Sequence, residues 1–211
     1  MLHLATVDTV TLELLRQLQQ DPIFSDTRLV GGTALALQMG HRKSVDLDFF
    51  GTLRLEPLEI EQTLRAYGPV SLTSRSRMIQ AYSVRGVKVD LVEYPYPWLD
   101  DPVAGNGLRL ASYRDIAAMK LSAITNRGSK KDFIDLVFLL DQFSLNDLLS
   151  FYQRKYVEAS LFLVMKSLTY FDDAEDDPMP HMLKPCDWDD AKRRIVRSVT
   201  DTQRDASNVI M

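Results

Sequence analysis

Gly31-Gly32-Thr33-Ala34-Leu35-Ala36-Leu37-Gln38-Met39-Gly40-His41-Arg42-Lys43-Ser44-Val45-Asp46-Leu47-Asp48-Phe49-Phe50 is the stretch on which the fold turns. Side chains of a β-strand alternate between two faces. Read as a strand, residues 45–50 put Val45, Leu47 and Phe49 on one face and Asp46 and Asp48 on the other. At about 3.4 Å of rise per residue the two acids stand roughly 7 Å apart. Two carboxylates on one face of an apolar strand repel each other and cost desolvation. A hard divalent cation relieves both problems, and Mg²⁺ favours carboxylate and phosphate oxygens. Taken alone, the pair also fits a solvent-facing strand edge, so the neighbours decide.

Upstream, Arg28-Leu29-Val30 reads as a short strand, Gly31-Gly32 as a turn, and Thr33 to Met39 as a helix closed by Gly40. A glycine pair between strand and helix lets backbone N–H groups approach an anion, and the helix dipole favours negative charge there. Downstream, Val87-Lys88-Val89-Asp90-Leu91-Val92 alternates, with Asp90 facing away from an apolar side and Glu93 on the face opposite Asp90. If that strand lies beside the first, Asp46, Asp48 and Asp90 converge, enough to hold two Mg²⁺ ions around a triphosphate.

Outward from this region, Val10, Leu14, Leu15 and Leu18 mark an amphipathic helix over 8–20, with Asp8 as its N-cap. A helix is expected over 56–67, stopped by Gly68-Pro69, followed by extended segments near 70–74, 77–84 and 87–94, with a turn at Gly86. From Ser112 the character becomes helical: 113–126, 131–142, 145–157 and 159–171, then an acidic loop read as solvated, then a last helix begun near Asp187. The fold class is therefore α+β, an α/β core over about 1–110 and a helical domain over about 111–211.

Composition agrees with a soluble globular chain. Of 211 residues, 45% are hydrophobic and 26% charged, and the net charge of −4 argues against a chain that coats nucleic acid non-specifically. The single cysteine, Cys186, excludes an intramolecular disulfide, and His3, His41 and His181 lack metal-site spacing. No apolar run is long enough for a membrane span and the start lacks a secretory signal, so a cytoplasmic location is expected.

The order Gly-Gly, short helix, Asp-x-Asp, lone strand aspartate resembles the DNA-polymerase-β-like nucleotidyltransferase superfamily. The fuller pattern is similar to its AbiEii/AbiGii toxin family. It comprises Gly31-Gly32-Thr33-Ala34-Leu35, Arg42 and Ser44 before Asp46-Leu47-Asp48-Phe49, and Asp90. It continues through Asp115 to Lys120 and Ala123, then Arg127-Gly128-Ser129-Lys130-Lys131-Asp132-Phe133-Ile134-Asp135. Many members of the superfamily carry Gly-Ser where this chain has Gly31-Gly32, so any hydroxyl role passes to Thr33 or is absent. The resemblance implies a polymerase-β-like core and nucleotide transfer from a nucleoside triphosphate with Mg²⁺ (or Mn²⁺). It also implies a tRNA end as a possible acceptor and a separate antitoxin protein as a possible partner. Asp46, Asp48 and Asp90 would be metal ligands and catalytic. Gly31, Gly32, Thr33, Arg42, Ser44, Asp132 and Asp135 would bind nucleotide. Lys120 would steady developing charge.

From the residues alone, Lys120 sits mid-helix among Ala117, Ala118, Met119 and Leu121, where an ammonium needs a phosphate or carboxylate partner or must snorkel to solvent. Lys192, Arg193, Arg194 and Arg197 form a basic helix surface that reads as an ordinary solvated face or an antitoxin-docking face, with RNA backbone contact as the alternative. Tyr94, Tyr96 and Trp98 read as packing residues, with base stacking as the alternative. Two other functions compete with nucleotide transfer: a nucleotide-binding, partner-docking protein on the same fold, and a phosphotransferase that moves the γ-phosphoryl group.

Overall fold

The computed structural model describes residues 1–53 and 56–208, with side chains through residue 205. The chain divides into two compact units, Met1–Pro97 with Asp101–Ser112, and Trp98–Asp100 with the chain from Tyr113 onward.

Among the described residues of the first unit, one mixed sheet is built from β1 (Thr27–Leu29), β2 (Leu47–Gly51), β3 (Val70–Arg75), β4 (Ile79–Val84), β5 (Val87–Glu93), β6 (Val103–Gly105) and β7 (Leu108–Leu110). The strand order is β3-β4-β5-β2-β1-β7-β6. The β2–β5 and β1–β7 pairs are parallel; the remaining neighbours are antiparallel. Between β4 and β5 the chain reverses through Arg85 (φ 52°) and Gly86 (φ 80°). Two positive φ values in a two-residue loop match the right-handed twist of the flanking strands. Leu47 and Phe49 of β2, Val89 and Leu91 of β5 and Leu29 of β1 are fully buried and form the apolar face.

Helix α1 (Thr9–Gln20) is capped by Asp8, whose carboxylate accepts the Thr11 N–H. Its buried stripe is Leu14, Leu15 and Leu18, while Val10, expected on that stripe, is 48% exposed. Gln19 ties α1 to β7: its Nε2 donates to the Arg109 carbonyl at 2.9 Å and its Oε1 accepts the Arg109 N–H at 2.7 Å. Helix α2 (Gly31–Met39) begins at the glycine pair itself, ahead of the expected Thr33, and ends at left-handed Gly40. Helix α3 (Pro57–Arg65) is closed at its start by a reciprocal Glu56/Glu59 capping box. Val45 is corrected: it precedes β2 and is 58% exposed, so the apolar alternation starts at Leu47.

In the second unit, α4 (Tyr113–Asn126) packs on α5 (Lys130–Leu140), α6 (Leu145–Lys155) and α7 (Leu161–Ser167). A short α8 (Asp172–Glu175) and a long α9 (Trp188–Asn208) follow, and α9 packs on α5 and α6. Asp187 accepts the Asp190 N–H at 3.0 Å, the expected start of the last helix. The acidic stretch is solvent-exposed at Asp172, Asp173, Glu175 and Asp176, as expected, and is tied to the helices through Glu175 and Asp177. Asp177 accepts the Lys130 N–H at 3.0 Å, and Lys130 Nζ donates to the carbonyls of Glu175 and Asp177 at 2.9 and 2.5 Å. Glu175 also accepts from Trp188 Nε1 at 3.0 Å and pairs with Lys192 at 3.1 Å. An acid placed at the α5 N-terminus meets unsatisfied N–H groups there, which explains why the loop folds back.

Candidate active site

β2 and β5 run parallel in a register that sets Asp48 opposite Asp90 and Phe49 opposite Leu91. Register partners on adjacent strands project to the same face, with strands about 4.8 Å apart. Because Leu47, Phe49, Val89 and Leu91 fill the apolar face, Asp48 and Asp90 share the polar one. On the other side of Asp90 the β4 partner is Ala81, too small to cover it. Asp90 Oδ2 accepts from Lys88 Nζ at 2.8 Å, whereas Asp90 Oδ1 is buried and has no hydrogen-bond partner. Burial pushes the Lys88 ammonium down, but the Asp90 hydrogen bond and the charges of Asp90, Asp48 and Asp46 outweigh it and raise its pKa.

Asp46 precedes this pair in the chain, and its charge, like theirs, acts on Lys88. It lies on the loop entering β2, ahead of the strand. The expected strand position of Asp46 is therefore corrected: Asp48 and Asp90 are in register, and Asp46 lies at the strand entrance. Among the described residues, no group of three or more His, Cys, Asp or Glu side chains forms a ready-made metal cage. What the sheet does provide fits a hard cation: two adjacent carboxylates, one with a buried oxygen that nothing in the protein satisfies.

The start of α2 is built onto this pair. Val30 donates its N–H to the Asp48 carbonyl at 2.8 Å. Gly31 has φ +68°, a conformation that favours glycine, and a Cβ there would collide with the Asp48 carboxylate. A Cβ on Gly32 would collide with the Arg42 guanidinium. Backbone conformation and close approach together require glycine at 31, while a side chain at 32 would make the Arg42 guanidinium shift. The N-cap residue, Val30, supplies no side-chain acceptor to the first turn of α2, and uncapped N–H groups suit an anion.

Thr33 and Ser44 are buried and are 2.8 Å apart at their hydroxyls. Thr33 Oγ1 also donates to the Asp46 carbonyl. Their hydroxyls fasten the loop before β2 to α2 and thereby place Asp46. Arg42 is 4% exposed and donates to the Lys43 carbonyl at 3.0 Å; His41 is fully buried.

In the second unit, Lys120 of α4 takes the carboxylate alternative. Its Nζ lies 2.8 Å from Asp132 Oδ1 and 2.6 Å from Asp135 Oδ2, both on α5, and all three are buried. Burial raises the Asp132 pKa, but the Lys120 charge and the hydrogen bonds from Lys120 and Ser129 overcome it and hold the carboxyl below its ordinary range. A second buried pair escaped the sequence reading. Lys155 Nζ contacts Asp115 Oδ1 at 2.7 Å and lies over the Trp98 ring, 4.6 Å from its centroid. Asp115 also accepts the Leu99 N–H at 2.9 Å. Trp98 is accordingly a packing residue. Lys88 was missed too, although its position two residues before Asp90 placed it on the acids' face.

The basic surface of α9 is largely answered within the chain: Lys192 pairs with Asp189 at 3.0 Å, Arg193 with Asp190, and Arg194 with Asp141. No helix among the described residues is long and apolar enough to cross a membrane.

Comparison with known proteins bears on this geometry. A protein of Aquifex aeolicus (strain VF5), uncharacterized protein aq_aa25, is 38% identical over 162 residues, covering 74% of this chain and 78% of that protein. MenT4, the nucleotidyltransferase toxin Rv2826c from Mycobacterium tuberculosis H37Rv, superposes with a TM-score of 0.61 at 19% identity, covering 91% of this chain and 83% of that one. JHP933 from Helicobacter pylori superposes with a TM-score of 0.55 at 16% identity, covering 95% and 94%. At such identities the two structures speak for the fold. The family model of the nucleotidyl transferase AbiEii toxin of type IV toxin–antitoxin systems matches residues 13–208, taking in the glycine pair, the acids of β2 and β5 and the Lys120 cluster. The chain belongs to the AbiEii nucleotidyltransferase toxin family, and it is a nucleotidyltransferase.

Proposed function

We propose that this nucleotidyltransferase is metal-dependent, moves a nucleotide from a nucleoside triphosphate to the hydroxyl of a tRNA end, and acts as a toxin restrained by a separate antitoxin protein. The observation that carries the chemistry is the Asp48–Asp90 register with its unsatisfied Asp90 oxygen. Asp48 and Asp90, with Asp46 at the strand entrance, would hold Mg²⁺ or Mn²⁺. Bound there, the ion supplies Lewis-acid stabilisation of charge on the phosphate oxygens.

The protein's own groups carry the remainder. The first turn of α2, with Gly31 and Gly32, receives the triphosphate on its N–H groups. Arg42 backs that turn from behind Gly32. Thr33 and Ser44 act at one remove, through the Asp46 carbonyl. The acceptor oxygen forms a bond to the α-phosphorus as the bond to pyrophosphate breaks, and Asp90 is the carboxylate assigned to take the hydroxyl proton. Lys120, Asp132 and Asp135 satisfy one another. Their assigned part is to lock α4 to α5, in place of direct contact with nucleotide.

The test is incubation with total tRNA and each triphosphate in turn, labelled at the α or the γ position, with Mg²⁺ or Mn²⁺. Transfer of α-label to RNA supports the proposal. Transfer of γ-label alone makes the protein a phosphotransferase. Metal-dependent nucleotide binding with neither transfer makes it a binding protein.

A further inference from the structure

Lys88 has a place in the site that the reaction as described does not use. It shares the polar face of β5 with Asp90, holds Asp90 Oδ2 at 2.8 Å, and sits in the field of Asp48 and Asp46 as well. Its partner across the ladder on β4 is Ser83, which is uncharged, and the charges that act on it are those of Asp90, Asp48 and Asp46. The Lys88 side chain is 51% exposed, against 19% for Asp90. A flexible, half-exposed ammonium leaves such a pair at small cost, because solvent screens it and holding the side chain in place costs entropy. A divalent cation taking the unpartnered Asp90 Oδ1 together with Asp48 would stand within a few ångströms of Nζ, and the like charges repel.

We infer that Lys88 is a tethered counter-ion of the acid pair whose charge opposes a divalent cation held by Asp48 and Asp90, so that Lys88 sets how tightly the site takes metal. The role rests on the metal-dependent reading above. With Lys88 in place, the repulsion between Asp48 and Asp90 is reduced. With the cation bound, the ammonium swings towards solvent. The affinity of the site is then lower than its carboxylates alone would set, and metal arriving already bound to a triphosphate has the advantage over the bare ion, because the phosphates offer the displaced ammonium a new partner.

The experiment is calorimetric titration of Mn²⁺, without nucleotide, into wild type, Lys88→Met and Lys43→Met, with thermal melts of each. Lys43 is the control, a nearby lysine whose Nζ donates to the Ala5 carbonyl and touches none of the acids. Lys88→Met is expected to bind Mn²⁺ roughly fivefold more tightly, the factor set by breaking a partly exposed pair. It should melt below wild type without metal, and the gap should close at saturating Mn²⁺. Lys43→Met should bind as wild type does. Equal affinity for wild type and Lys88→Met overturns the role of Lys88 while leaving the metal site standing. An equal gain in Lys43→Met also overturns it, reducing the effect to overall charge. Absence of Mn²⁺ binding in every variant overturns the metal site and the role of Lys88 together.

Discussion

Asp48 and Asp90 are register partners on parallel strands, and the carbonyl of that same Asp48 accepts the Val30 N–H that opens α2. One residue thus joins the acid pair to the helix start on which a triphosphate would rest. Two strands distant in sequence and one helix meet at this point, and its electrostatics govern the first prediction.

Asp48→Asn keeps the side chain's shape and removes one of two adjacent charges. Without metal it should melt at or slightly above wild type, because part of the carboxylate repulsion disappears. Stabilisation by Mg²⁺ with nucleotide, which grows as RT ln(1 + [L]/Kd), should shrink. Melts with and without both ligands measure this, and a variant that melts far below wild type in their absence would assign Asp48 a structural role.

Gly31→Ala should be costly twice over. Its φ of +68° penalises any Cβ, and that Cβ would meet the Asp48 carboxylate. A loss of about 1–2 kcal/mol is expected from the left-handed conformation alone. Denaturant unfolding measures it. Nucleotide transfer by the fraction still folded should also fall, because the Asp48 carboxylate is pushed aside.

Thr33→Val removes the hydroxyl that fastens Ser44 and the Asp46 carbonyl and leaves those buried groups short of a partner. The expected loss is about 1–3 kcal/mol. Thr33→Ser keeps the hydroxyl and should recover most of the stability and the transfer rate. Equal behaviour of the two variants would remove the positioning role.

Lys120→Met strands two buried carboxylates, Asp132 and Asp135, and should cost about 3–5 kcal/mol. The pH dependence follows from Asp132, whose folded pKa lies below its ordinary 3.8. A depressed carboxyl pKa contributes stability that is fully present above the unfolded value and lost as pH falls through the folded one. Wild type should therefore lose stability on acidification below about pH 4, from Asp132 among its carboxylates. Asp132→Asn should lose less over the same interval, as read by melts from pH 5 to pH 2.5.

Much of this arrangement is legible in the residues, and the limits have physical causes. Alternation in residues 87–92 places Asp90 on the polar face, and Gly86 marks its turn, because both signals are local. The side-by-side placement of Asp48 and Asp90 is non-local: it depends on a parallel pairing that periodicity does not encode. Alternation carried back to Val45 overshoots, since the strand's start is set by the Thr33 hydroxyl on the Asp46 carbonyl, a contact across the loop. Strands β6 and β7, three residues each, are too short for a period to show. Lys155 reads as an ordinary basic residue in the last turn of α6, and only packing reveals Asp115 and Trp98 around it. Asp177 looks like one more acid in a charged loop until the α5 N-terminus is set beside it.

The central claim is that the Asp48–Asp90 pair makes this chain a metal-dependent enzyme of nucleotide transfer. The most direct measurement is the rate at which wild type and Asp48→Asn move α-label from a triphosphate to tRNA in Mg²⁺. Wild type should transfer α-label and release pyrophosphate. Asp48→Asn should be slower by at least about a hundredfold, since the ion contributes several kcal/mol at the transition state and each 1.36 kcal/mol is tenfold. Transfer by Asp48→Asn at the wild-type rate, or γ-label reaching RNA while α-label does not, would contradict the account.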